Sequence, residues 1–395
     1  MSIDVDEVKL DFDTIGSVFQ KVDKATIIKI MKAYYSNKLS ATKLIENFNL
    51  NTIPSKLYKN FPCVEMKKKC PYDGSSFRVK MPSKTNFEVF LQGYGETLFC
   101  PLCGHVDEPD CDCDNCKLKR ENELHEKKAK IREAYKRENF KLVKEEKLSL
   151  RDRIYLSALI RGFMDEDQVF IAPLSSSAAK LAPTSDFSAE ILQHLIARGI
   201  IVPASVSKIS AFTEEDFPNQ YYLTQVSYQI LVATEDDESS LINRLMYPDR
   251  QLFLDDKYET YQLWKQIAES EAEEFLLYRM SAVGFDFNVG DKTKMVLNQL
   301  LERFSVGQIN SFTYRAVANA LQWYTENRNI SKSHAANSVV SGLEKSGERA
   351  LAEGWKVKAW TRNYYLGQSE VSEVLYNPIM QVSELGFTEV PTEDF

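Results

Sequence analysis

The sequence predicts a mainly α-helical fold with small β elements, and three observations predict it. Apolar residues recur at helical spacing through residues 1–62 and again from Asp255 onward. Short alternating runs lie between these stretches, at 75–92 and 200–232. Six of the seven cysteines fall between Cys70 and Cys116. Clustered thiols point to a metal-clasped module more than to a disulfide framework. At 395 residues the chain has room for two or three cores.

The net charge of -8 conceals an asymmetry. Residues 1–150 carry about +4 and residues 151–395 about -12, a split that implies two surfaces with different partners. An acidic whole argues against indiscriminate coating of nucleic acid, while a local basic face can still bind it. Met1–Asp13 is acidic and has no apolar stretch of the signal-peptide kind. No apolar run approaches the roughly 18 residues of a membrane span. The expectation is a soluble, cytoplasmic protein with no membrane partner.

Residues 1–62 read as a small helical unit. Ile27, Ile30, Met31 and Tyr34 share one helix face, and that helix ends near Ser36-Asn37. Ser40 caps a second helix with Leu44, Ile45 and Phe48 inward, and Pro54 suits the first turn of a third. Three short helices with a brief turn between the last two describe a helix-turn-helix. The segment SATKLIENFNLNTIPSKLYKNFP resembles helix-turn-helix segments of transposase-like and regulatory proteins.

Residues 63–116 carry the cysteines. CPYDG (Cys70–Gly74) precedes SSFRVKMP and NFEVFLQ, which alternate like two strands, and FCPLCGH (Phe99–His105) follows. This turn, hairpin and Cys-Pro-x-Cys-Gly sequence resembles the zinc-ribbon pattern, departing from it where Asp73 stands in place of a cysteine. The favoured ligand set for one Zn2+ is Cys100, Cys103, Cys113 and Cys116, spaced C-x2-C-x9-C-x2-C. In the alternative, Cys70 joins Cys100 and Cys103, with Asp73 or a cysteine of CDCDNC as the fourth ligand. A second zinc using His105 and Cys111 is a crowded third option. Cys63, after Phe61-Pro62, reads as buried packing. Zinc in such a site is structural, because so small a hairpin buries too little core to hold itself.

Residues 117–148 form a charge-dense connector helix with a narrow stripe of Leu124, Ile131 and Tyr135. Residues 149–240 open with a capping box at Ser149–Asp152 and pass through a second helix to Gly199. Two strands follow, one of them Tyr221–Val232, so the segment looks like a winged helix. Residues 241–395 read as a helical bundle. Its helices run from Tyr258 to Val283, Lys292 to Phe304, Ser305 to Asn327, Ser333 to Ala352 and Ser369 to Tyr376.

No HExxH, GxSxG or GxxxxGK[ST] is present, and the four histidines have no catalytic partner nearby in sequence. The acidic clusters Asp165-Glu166-Asp167 and Glu235–Glu238 read as solvated turns. Trp355, Trp360, Tyr364 and Tyr365, interleaved with Lys356, Lys358 and Arg362, read first as packed aromatics under lysine stems, with base stacking or a protein anchor as the alternative.

The order of segments resembles uncharacterised bacterial zinc-ribbon proteins, whose settings are mobile elements and phage-defence loci. That resemblance implies a non-enzymatic nucleic-acid-binding protein, DNA first, with a protein partner or self-association through the acidic half. The phosphate contacts expected are Lys56, Lys59, Lys67, Lys68, Lys69, Arg78 and Lys80. The alternative is an interaction adaptor or effector subunit of a larger complex.

Overall fold

The computed structural model describes residues 8–36, 38–91, 97–165, 167, 169–235, 237–327 and 329–394. The chain is mainly helical with small sheets, and it divides into two units, Met1–Lys127 and Lys128–Phe395. No helix among the described residues is long and apolar enough to cross a membrane.

In the first unit, α1 (Lys24–Tyr35) starts where the Asp23 carboxylate accepts the Thr26 N–H at 3.0 Å. Its buried face is Ile27, Ile30, Met31 and Tyr34, as the spacing predicts. α2 (Ala41–Asn47) is capped by Ser40, and Asn49 turns the chain through a left-handed φ of 47°. The third segment, Pro54–Asn60, is a 3-10 turn instead of an α-helix. Only Leu57 faces inward there, so little packing rewards a longer helix.

β1 (Leu10–Asp11), β2 (Cys63–Lys69) and β3 (Ser76–Val79) form an antiparallel sheet in that order. Its register pairs Val64 with Val79 and shifts between Glu65 and Lys69. NFEVFLQ is not a strand. Lys84–Asn86 is a 3-10 turn and Phe87–Leu91 is a helix, α3, while Gln92 lies outside the described residues. Phe87 and Phe90 sit three apart on one side, and Phe87 stacks on Tyr35 at 3.8 Å. That i,i+3 pair favours a helix over alternation. Phe99 instead extends the sheet, bridging Arg78 on one side and Val106 on the other.

α4 (Asp114–Ala134) begins earlier and ends earlier than the expected connector. The chain beyond it forms β4 (Val143–Lys144) and short turns. In the second unit one hydrophobic core runs from Ile131 to Phe387. The expected winged-helix-like segment and bundle therefore share a core. α5 (Leu150–Phe163) carries the capping box of Ser149 and Asp152. α6 (Ser185–Ala197) ends at Gly199, whose φ of 66° suits glycine.

Strand structure here is scant. β5 (Ile201–Pro203) pairs antiparallel with β6 (Tyr228–Ile230), and β7 (Val232–Ala233) pairs parallel with β4. Tyr222 is exposed, and Leu223 accepts a hydrogen bond from the Tyr228 hydroxyl at 2.7 Å. Gln225 N donates to Tyr222 O at 2.9 Å, so a turn at 223–225 interrupts the alternation between the Phe212–Tyr221 bridge and β6.

α7 (Glu238–Met246) and α8 (Arg250–Asp255) precede the bundle. α9 (Lys257–Ala282) packs on α10 (Asp291–Leu301) and α11 (Val306–Glu326), and α11 packs on α12 (Lys332–Ala352). Ser305 and Gln308 make a capping box at the start of α11. α13 (Glu370–Val374) crosses α5, and α14 (Leu385–Thr388) ends the described helices.

Buried charge organises this unit at two points. Glu271, on α9, receives Arg362 Nη1 at 2.7 Å, the Ser372 hydroxyl at 2.8 Å and the Tyr376 hydroxyl at 3.3 Å. Asp152 is fully buried and accepts from Ser149 N at 2.9 Å, His194 Nε2 at 2.7 Å and Arg198 Nη2 at 3.1 Å. Burial pushes the Asp152 carboxyl up, but those donors outweigh it and hold it below the ordinary carboxylate range.

Because its folded value is lowered, Asp152 contributes stability that is present above the unfolded carboxylate value. That stability disappears as pH falls through the folded one. Asp152→Asn should therefore cost about 3 kcal/mol in urea denaturation at pH 7, with the gap to wild type narrowing steadily below pH 4. An equal gap at both pH values would mean the loss comes from packing.

Candidate metal centres

Two turns of the same build carry the first cluster. Cys70-Pro71-Tyr72-Asp73-Gly74 leaves β2, and Cys100-Pro101-Leu102-Cys103-Gly104 follows Phe99. Gly74 N donates to Cys70 O at 3.0 Å and Gly104 N to Cys100 O at 3.1 Å. Cys70 N donates to Ser75 O, and Cys100 N to His105 O, each at 2.7 Å. Both glycines have left-handed φ, 74° and 70°, which a β-carbon would strain. The turns thus aim the first and fourth residue of each motif at one point.

At that point Cys70, Asp73, Cys100 and Cys103 gather, with all donor atoms within 4.8 Å of one another. Cys70 Sγ lies 3.6 Å from Cys103 Sγ, and Cys100 Sγ lies 3.0 Å from Asp73 Oδ2. A tetrahedral ion with bonds of about 2.3 Å needs donors spaced by about 3.8 Å, so the set fits a metal. The N–H groups of Leu102 and Cys103 point at Cys100 Sγ, each at 3.4 Å. Burial raises the Cys100 thiol, but these donors bring its value below the ordinary one. The Ser75 hydroxyl and N–H, at 2.6 and 2.9 Å, hold Asp73 Oδ1, and Asp73 stays ionised well below the usual range. Oδ2 remains for the cluster.

His105, Cys111, Cys113 and Cys116 form the second cluster. His105 Nδ1 lies 3.3 Å from Cys111 Sγ, 3.8 Å from Cys113 Sγ and 3.2 Å from Cys116 Sγ. His105 is buried between Tyr72, which meets it edge-on at 5.0 Å, and Phe77. Cys116 sits in the first turn of α4. Burial raises the Cys111 thiol, but the N–H groups of Cys113 and Val106 and the His105 ring outweigh it, bringing it down to about 6. Three sulfurs and an imidazole nitrogen fit the same tetrahedral chemistry.

The set Cys100, Cys103, Cys113 and Cys116 is therefore divided between two places. Cys100 and Cys103 meet Cys70 and Asp73, because the repeated turn returns the chain onto itself. Cys113 and Cys116 meet His105 and Cys111. The first grouping is the alternative set, Cys70 with Cys100 and Cys103 and Asp73 as fourth donor, and the second contains the His105 and Cys111 of the crowded third option. Cys63 belongs to neither cluster; it is buried, and its N–H donates to Thr14 Oγ1 at 2.8 Å.

The basic residues fall into two groups. Lys56, Lys59, Lys67, Lys68, Lys69 and Lys80 are exposed, with Lys68 paired to Asp107 and Lys80 over the Phe99 ring at 5.8 Å. Arg78 is turned into the fold. Asp11 and the Ser76 carbonyl receive its guanidinium, and its side chain is 14% exposed. It is a structural ion pair in place of an outward phosphate contact.

Purified protein should carry two metal ions per chain by native mass spectrometry. Cys70→Ser should remove one ion and leave the other; Cys111→Ser should do the reverse. Loss of both ions from either change, or one ion in wild type, would overturn the division into two centres. In Co2+-substituted protein Asp73→Cys should add intensity to the thiolate charge-transfer bands, because oxygen is exchanged for sulfur.

The chain matches no protein-family model, and comparison with curated proteins and with solved structures gives no match.

Proposed function

We propose that this chain is a non-enzymatic nucleic-acid-binding protein, acting on DNA, whose first unit is held by structural Zn2+. The observation that carries the reading is the exposed run Lys67-Lys68-Lys69, which ends β2 directly before the first metal turn. Lys67 and Lys69, on a strand that ends at the first metal turn, hold cationic charge in a defined place, which suits a phosphate backbone, while Lys68 pairs with Asp107. Lys56 and Lys59, exposed on the turn after α2, and Lys80 next to β3 add to it. In this reading α1, α2 and the Pro54 turn act as a helix-turn-helix, and the cysteine turns as a zinc ribbon. Zinc suits the second donor set, three sulfurs and an imidazole, directly, and it also accepts the three sulfurs and one carboxylate of the first, a rarer combination.

An adaptor role has its own supporting observation in the second unit. Tyr364 and Tyr365 are 92% and 79% exposed, contrary to the packed cluster their spacing implies. The turn presenting them is pinned at both ends, by Arg362 on Glu271 and by Lys180 at the Leu366 and Gly367 carbonyls. Exposed aromatics on a rigid turn are a common anchor for a protein partner.

Binding to duplex DNA, single-stranded DNA and RNA across a salt series separates the readings. The nucleic-acid reading expects a steep fall in affinity with salt. Reversal of Lys67, Lys68 and Lys69 to glutamate should lower that log-log slope by about 3 if each lysine meets one phosphate. Absence of binding at 50 mM salt by folded, metal-replete protein would reject it in favour of the adaptor.

A further inference from the structure

The second unit contains a polar cavity of about 240 Å³ lined by α6, α9 and α10. Four carboxyl groups face it, Asp186, Glu190, Glu269 and Glu273, against one cation, Lys294. Glu269 and Glu273 are one helical turn apart on α9, where like charges repel. The Thr184 and Ser270 hydroxyls, bonded to each other at 3.0 Å, complete a wall of oxygen donors.

Glu273 stands out within this group. It is 6% exposed, yet it makes no hydrogen bond or ion pair with any described residue. Burial pushes its carboxyl above the ordinary range, Lys294 offsets part of that, and Glu269, Asp186 and Glu190 add to the rise. A buried carboxylate is normally paired or bound to a metal, because its desolvation is otherwise uncompensated. Glu269 differs in having Asn298, Lys294 and Lys265 as compensation.

The donor chemistry narrows the ligand. All of these groups are hard oxygens, which select ions of the magnesium, calcium and manganese class over soft-ligand ions. Among the described residues no three of these carboxyl groups converge closely enough to ligate one ion directly. The cavity has room for several waters, each with a share of about 30 Å³. Mg2+ keeps much of its water shell and uses one or two carboxylates. We infer that this cavity binds a hydrated divalent cation of the Mg2+ class, with Glu273 as its direct ligand and the neighbouring carboxylates holding its water. The site is independent of the nucleic-acid reading and of the thiol clusters.

The probe is Mn2+, titrated into the full chain by electron paramagnetic resonance after the thiol clusters are saturated with Zn2+. One bound Mn2+ is expected, displaced by excess Mg2+ and weakened at least tenfold by Glu273→Gln. No binding up to millimolar Mn2+, or equal binding by the variant, would overturn the inference. Thermal melting guards against a misfolded variant. Without divalent cation Glu273→Gln should melt at or above wild type, since it removes an unpaired buried charge. Saturating Mg2+ should then raise the wild-type midpoint by about 5 °C and leave the variant unmoved. An equal rise in both would place the ion elsewhere and equally overturn the assignment.

Discussion

The metal turns of the first unit depend on two left-handed glycines. Gly74 and Gly104 close turns that bring residues three apart onto one point, and these turns bury little else, since the main core of the unit lies between α1, α2 and the sheet. The cluster nearest that point consists of Cys70, Phe77 and Cys100, with Met66, Leu98 and Cys103 partly buried. So small an apolar group offers little against the entropy of ordering two turns. A metal bridging the turns would close a loop of about thirty residues and supply the missing free energy. The second cluster then follows from the first. The hydrogen bond from Cys100 N to His105 O fixes the start of the segment that brings His105 to Cys111, Cys113 and Cys116.

The second unit solves its folding problem differently, with a large continuous core and a few buried charges at element junctions. Asp152 ties the start of α5 to the end of α6 through His194 and Arg198. Glu271 ties α9 to Arg362 and to Ser372 on α13. A carboxylate surrounded by several donors is directional where an apolar contact is not. These two residues therefore set the register in which apolar surfaces meet. The same logic makes Glu273 conspicuous, since it lies two residues beyond Glu271 and has none of that compensation.

Local signals in the sequence were legible wherever one element decides its own form. The face of α1, the caps at Ser40, Ser149 and Ser305, and α9 to α12 were readable because periodicity and capping are local physics. α7 is less legible, because its nine residues carry only Leu241, Ile242 and Leu245 on the inner face and begin in an acidic run that also suits a solvated turn. Phe87-Glu88-Val89-Phe90 alternates in composition, yet stacking on Tyr35 decides its conformation. Long-range choices were not legible. Spacing says that four thiols can meet, but chain reversal decides which four. Arg78 reads as an exposed cation until Asp11, sixty-seven residues earlier, is found against it.

Donor softness gives the molecule a chemical division of labour. The first unit presents six sulfurs, one imidazole and one carboxylate in closed sets, where affinity follows the preference of thiolate for zinc-like ions. The second presents mainly carboxyl and hydroxyl oxygens, with Lys294, around a polar cavity, where the preference runs to ions that keep their water. The thiol sets compete poorly for Mg2+-class ions, so Mg2+ should discriminate between the two kinds of site. The consequences also differ in kind. Removing an ion from the thiol clusters would remove the link between turns that have almost no core of their own, so those turns should lose their shape. The apolar cluster of α1, α2 and the sheet, with Ile27, Leu44, Phe61, Val64 and Val79, should remain. Removing an ion from the cavity leaves the core of the second unit intact and changes only the charge that Glu273 must bear. An ion in the thiol clusters would therefore be part of the fold of its turns, whereas one in the cavity would act on a fold that already exists, which is the condition a reversible ligand requires.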